Sequence, residues 1–167
     1  MLLAIDPGED TGWGLFAIRE SRFTFRKGVE QDYELIACGL GDPRDRDIVR
    51  ASKLERVVIE RPRINPHGKA RPNDIITLAL SAGEWAGVFR ERCNEIVWFE
   101  PHQWKGAADK VQSAPRIWAK LSPVEQAIVH DTIKTSGKGG RALAQSKIHN
   151  VLDGIGLGLH AVGRGMR

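Results

Sequence analysis

Three acidic residues stand at positions where a carboxylate does more than solvate a surface. Asp6 closes the apolar run Leu2-Leu3-Ala4-Ile5, Glu60 closes the β-branched run Val57-Val58-Ile59, and Asp153 lies among apolar and glycine neighbours near the end of the chain. An acid in such surroundings is costly unless a proton, a cation or a hydrogen-bonding partner meets it. Taken singly, each reads as a cap or half of an ion pair. Brought together they repel, and a hard divalent cation such as Mg2+ is the natural counter-charge. On a helix, residues three and four apart share a face, so Ser146, His149, Asn150 and Asp153 form one polar patch. That patch puts an imidazole, which carries protons near neutral pH, and an amide on the same side as the acid.

These residues meet only if the elements carrying them are neighbours. Residues 2–5 read as a buried strand broken at Asp6-Pro7-Gly8, and 13–18 as a second strand. Residues 22–26 and 33–39, joined by a Lys27-Gly28 turn, extend this to an antiparallel meander. Asp42-Pro43 opens a short helix. Residues 57–59 form a β-branched strand stopped by Arg61-Pro62. Asn73 or Asp74 caps a helix with Ile75, Leu78, Ala82, Trp85 and Phe89 at helical spacing and Arg90 and Arg92 at its basic end. Another buried strand follows at 96–99. Helical patches lie at 110–121 and 123–133, a mobile glycine-rich loop at 136–140, and a final helix at 142–162. The order predicts an α/β fold, a mixed β-sheet of about five strands flanked by helices. With the strands of Asp6 and Glu60 adjacent, the last helix lays Asp153 beside them. Gly154, Gly156 and Gly158 weaken that helix by up to about 1 kcal/mol each relative to Ala, and let it approach the sheet closely.

At 167 residues the chain reads as one domain, 1–167, with enough core to need no metal or disulfide staple. Apolar residues make up 41% and charged residues 28%, which excludes disordered and fibrous classes. No apolar run approaches the roughly 20 residues of a membrane span, and the N-terminus lacks signal-peptide features. Cys38 and Cys93 have no metal or redox spacing, so a cytoplasmic setting with free thiols is expected. Charge is uneven: residues 1–100 carry 15 basic and 17 acidic side chains, residues 101–167 carry 10 and 4. Within the first part, 61–71 holds four cations (Arg61, Arg63, Lys69, Arg71) and no acid. Such patches suit a polyanion, whose phosphates release counterions to them.

The motifs resemble the RuvC family of Holliday junction resolvases within the ribonuclease H-like superfamily. Leu3-Ala4-Ile5-Asp6-Pro7-Gly8 with Thr11-Gly12-Trp13-Gly14 resembles that family's opening strand, Asp-Pro-Gly turn and Thr-Gly-aromatic-Gly signature. Val57-Val58-Ile59-Glu60 is similar to the strand of its second acid, Asp153-Gly154-Ile155-Gly156 to its last acidic helix, and 101–112 more loosely to its lysine-bearing segment. Two departures stand out. His149 and Asn150 occupy the region where the family usually offers another acid, and the loop after Glu60 supplies Arg63 and His67 in place of a wedging aromatic. The resemblance implies a ribonuclease H-like fold and a homodimeric endonuclease cutting four-way DNA junctions with two Mg2+ or Mn2+ ions. It implies ligands Asp6, Glu60, Asp153 and His149, with Asn150 as the alternative to His149, in the cytoplasm of a bacterium or a phage-infected host. Lys105, Lys110, Lys138 and Arg141 join Arg61, Arg63, Lys69 and Arg71 as candidates for backbone phosphates. The helix of Trp85 is the expected dimer face. A junction-binding protein without nuclease activity and a ribonuclease H acting on RNA–DNA hybrids are the alternatives. An actin-like ATPase, which also begins on an Asp-x-Gly turn, requires a longer chain.

Overall fold

The computed structural model describes residues 1–19, 32–63, 71–106 and 110–165. The strands are β1 (Leu2–Asp6), β2 (Gly12–Ile18), β3 (Tyr33–Leu40), β4 (Leu54–Glu60) and β5 (Cys93–Phe99). The helices are α1 (Asp47–Ala51), α2 (Pro72–Phe89), α3 (Pro101–Trp104), α4 (Lys110–Lys120), α5 (Pro123–Thr135) and α6 (Gln145–Ala161). One five-stranded sheet runs in the order β3-β2-β1-β4-β5. The β1–β2 and β2–β3 pairs are antiparallel, whereas β1–β4 and β4–β5 are parallel. The expected strand at 22–26 and its turn lie outside the described residues.

Side chains alternate across a strand, and the alternation here sorts the core into two layers. Leu2, Ala4 and Val58 face one layer with Ile117, Val129, Val151 and Ile155, against α4, α5 and α6. Leu3, Ile5, Val57 and Ile59 face the other with Val49, Ala82 and Phe89, against α1 and α2. Asp6 shares the parity of Leu2 and Ala4, and Glu60 that of Val58, so both acids belong to the α6 face. The β1–β4 register pairs Ile5 with Ile59, one residue short of each acid.

Three local expectations change. α2 begins at Pro72 with Arg71 as its N-cap, and neither Asn73 nor Asp74 caps it. Proline's fixed φ and missing N–H suit the first helical position, leaving Asp74 in the first turn to accept the Arg71 backbone N–H at 3.4 Å. The helix ends at Phe89, and Arg92 turns back towards the Val49 and Arg50 carbonyls instead of extending a basic last turn. The 136–140 segment, expected as a mobile loop, contains a 3-10 turn at Lys138–Gly140, closed by the Gly137 N–H to the Arg141 carbonyl at 2.7 Å.

Candidate active site

Close backbone contact between α6 and β2 fixes where Asp153 sits. A Cβ on Gly12 would lie 1.7 Å from the Asn150 carbonyl oxygen, and one on Gly154 would lie 2.6 Å from the Gly12 and Trp13 backbone. Gly158 in turn lies against the Phe16 ring, and Gly156 against Ile117 and Trp104. Gly12, Gly154 and Gly158 therefore form the seat by which α6 rests on β2, while Gly156 makes room for α3 and α4. That seat brings the one buried acid of α6, Asp153, 3% exposed, to the acid-bearing ends of β1 and β4.

A cavity of about 520 Å³ opens there, and Asp6, Glu60, Asp153, His149 and Asn150 all line it. Lys105, just after α3, reaches into the group. Its Nζ donates to Asp153 Oδ2 at 2.9 Å and lies 3.6 Å from Glu60 Oε2. Buried Trp104 donates its Nε1–H to the same Glu60 oxygen at 2.8 Å, while the Lys105 ammonium sits 4.4 Å from the Trp104 ring centroid. Burial raises the Glu60 pKa and the Asp153 charge adds to it; Lys105 and Trp104 only partly offset this. For Lys105 burial works against the charge, yet Glu60, Asp6 and Asp153 together outweigh it and raise its pKa. The three acids thus already hold one cation among them.

Among the described residues, no group of three or more His, Cys, Asp and Glu side chains is placed to hold a metal ion as it stands. The site is an acid cleft whose charge a single lysine offsets only in part. Its donor chemistry, carboxylate oxygens with an imidazole or amide beside them, is nevertheless that of a hard divalent cation site. Asp6, Glu60, Asp153 and either His149 or Asn150 are the groups that would hold one.

The candidate phosphate contacts fall into distinct settings. Arg61 pairs with Glu100, and Arg63 Nη1 lies 3.4 Å from the same carboxylate. Those pairings lower the Glu100 pKa, Arg61 most of all. Arg71 is exposed at the start of α2, and Lys138 and Arg141 are exposed around the glycine turn. Lys105 lies inside the cleft. Lys69 and the side chain of Lys110 are outside the described residues, as is His67. Sequence reasoning passed over three cleft features. Trp104 carried no polar signal beyond its indole N–H. Ser146 has no role beyond its place on the polar face of the last helix, and Lys147, which pairs with Asp10 at 2.7 Å, carries no signal in its spacing that sets it apart.

No family model matches the chain, and no curated protein matches it. Among solved structures, the chain is similar to T. thermophilus RuvC in complex with Holliday junction substrate, at 16% identity and a TM-score of 0.48, covering 98% of this chain and 97% of that one.

Proposed function

We propose that this chain is a metal-dependent, structure-specific endonuclease that resolves four-way DNA junctions by paired phosphodiester hydrolysis. The observation that carries the reading is the convergence of Asp6, Glu60 and Asp153, from two adjacent strands and one helix, on a single cleft around the Lys105 ammonium. The opening Asp-Pro-Gly and Thr-Gly-Trp-Gly motif supports the same assignment.

Asp6, Glu60 and Asp153, with His149 or Asn150, would hold one or two Mg2+ or Mn2+ ions. Such ions would activate a water and stabilise the negative charge that develops on the leaving oxygen. Trp104 holds the Glu60 carboxylate in one orientation through its 2.8 Å hydrogen bond. Lys105 balances the acids and is placed to meet the negative charge of a phosphodiester entering the cleft. Arg61, Arg63, Lys69, Arg71, Lys110, Lys138 and Arg141 would meet flanking phosphates.

Paired cuts on a two-fold substrate call for two sites, and hence a homodimer. The outward side of α2 supports such a contact: Ile76 and Leu80, one turn apart, are 56% and 65% exposed. Trp85 itself is half-buried beside Phe89 with the Arg44 guanidinium over its ring, so on the helix of Trp85 it is Ile76 and Leu80 that we assign to the contact. No helix among the described residues is long and apolar enough to cross a membrane. A bacterial or phage-infected cytoplasm is the setting proposed with this activity.

One observation favours a second reading, a junction-binding protein that does not cut: Lys105 occupies the space between two of the acids. Incubating labelled four-way junction, linear duplex and RNA–DNA hybrid with Mg2+ or Mn2+ separates the readings. Symmetric nicks confined to the junction support the resolvase, binding without nicks supports the binder, and cutting of the hybrid alone supports a ribonuclease H.

A further inference from the structure

We infer that the glycine turn between α5 and α6, at Ser136 to Arg141, is a clamp for a backbone phosphate of the DNA strand that enters the acidic cleft. The inference rests on the chain being a DNA-cleaving enzyme and names a second contact point on that substrate.

A polyanion is met most readily by cations that no carboxylate holds, and several basic groups near the cleft are held. Arg61 and Arg63 are held by Glu100, Lys147 by Asp10, and Lys105 by Glu60 and Asp153. Lys138 and Arg141, like Arg71 at the start of α2, make no ion pair among the described residues. Lys138 and Arg141 both line a cavity of about 610 Å³. No carboxylate lines that cavity, and its third cation is Lys147. Lys147 also lines the acidic cleft, so the two cavities meet at that residue.

The turn is built to present bare backbone. Gly139 and Gly140 have φ of +69° and +73°, which side chains rarely adopt, and a Cβ on either would meet nothing within 4 Å. Open space on that side leaves the peptide accessible to a bulky anion. Gly137 is needed for a different reason: a Cβ there would fall 2.3 Å from the Ala142 carbonyl oxygen, so the turn folds flat onto the strand-like segment that follows. Buried Leu143, whose N–H donates to the Ile133 carbonyl at 2.7 Å, pins the far end. Two uncommitted cations on a pinned, side-chain-poor turn suit a phosphodiester, which offers one negative charge and no base information.

The test is binding of fluorescent four-way junction in EDTA, across a salt series, by wild type, the double variants K138Q/R141Q and K138R/R141K, and K120Q, which alters a cation lining neither cavity. A parallel scan replaces single junction phosphates by neutral methylphosphonates. The clamp predicts that K138Q/R141Q weakens binding by ~10-fold or more near 100 mM salt and lowers the salt slope by about 2, while K138R/R141K and K120Q stay within about 2-fold of wild type. It also predicts one or two phosphates whose neutralisation costs wild type affinity and costs K138Q/R141Q none. Unchanged binding and salt slope in K138Q/R141Q, with wild type binding the junction, overturns the clamp and leaves the nuclease reading standing. Failure of wild type to bind any DNA overturns both.

Discussion

The Glu60 carboxylate shows what one hydrogen bond can set. Its burial disfavours the charge that a metal-binding acid needs, and the Trp104 indole and the Lys105 ammonium act against that cost. Replacing Trp104 by Phe keeps the ring and removes the N–H; we expect a higher Glu60 pKa and a pH–rate profile whose acidic limb moves to higher pH, read from cleavage rates between pH 5 and 9. An unmoved acidic limb in Trp104→Phe would show that Glu60 does not titrate in the active form. His149→Ala and Asn150→Ala form a second pair: the one that weakens Mn2+ binding by calorimetry identifies the fourth ligand. Far from the cleft, Glu125 is 2% exposed and gathers the Arg164 guanidinium and the backbone N–H groups of Leu35 and Ser122. Burial alone would raise its pKa, but these partners outweigh it and bring the pKa to about 2. A depressed folded-state pKa means that the stabilisation is complete above the unfolded value of 4.5 and is lost as pH falls from there towards about 2. We expect Glu125→Gln to lower stability near pH 7 by roughly 3 kcal/mol, and that difference to shrink in acid, as followed by denaturant unfolding at pH 7 and pH 3.

At the scale of elements, the seat of α6 on β2 places the third acid. Gly154→Ala gives opposite predictions for a free and a seated helix. Alanine raises intrinsic helix stability by up to about 1 kcal/mol, whereas the Gly12 and Trp13 backbone 2.6 Å from the new Cβ forces α6 off the sheet. We expect net destabilisation of at least ~2 kcal/mol and loss of cleavage, from thermal unfolding and junction assays on the same preparation. This part of the molecule was legible in the sequence. Short apolar runs ending in acids gave strand ends, and glycines at every second position in an apolar helix indicated close approach. The start of α2 was not legible in the same way, because a capping preference for Asn73 or Asp74 competed with a proline at the first helical position and the proline prevailed. The shape of the 136–140 segment was not legible either, because a run of glycines marks a break in pattern without saying which of them supply left-handed φ and which supplies clearance. The lysine at the centre of the acids was also hidden. Nothing in the spacing of Lys105 from Glu60 or Asp153 says that the end of α3 turns it inward.

At the scale of the whole molecule, we propose that a second copy related by two-fold symmetry doubles the acidic cleft. Leu80→Glu on the exposed side of α2 should leave the fold intact and convert a dimer to a monomer in light scattering, with paired cuts replaced by single nicks. A variant that remains dimeric would move the interface elsewhere. Net charge of +4, with the excess in the last third, makes binding salt-dependent whatever the chemistry, so affinity alone does not establish the enzyme. Cleavage does. The most direct measurement is a labelled four-way junction incubated with Mg2+ or Mn2+ and either wild type or Asp6→Asn, with binding of both proteins measured in EDTA. The account predicts symmetric paired nicks by wild type, none by Asp6→Asn, and binding by both within a few-fold. Junction binding by wild type with no nicks in either metal, or nicking that survives in Asp6→Asn, would contradict it.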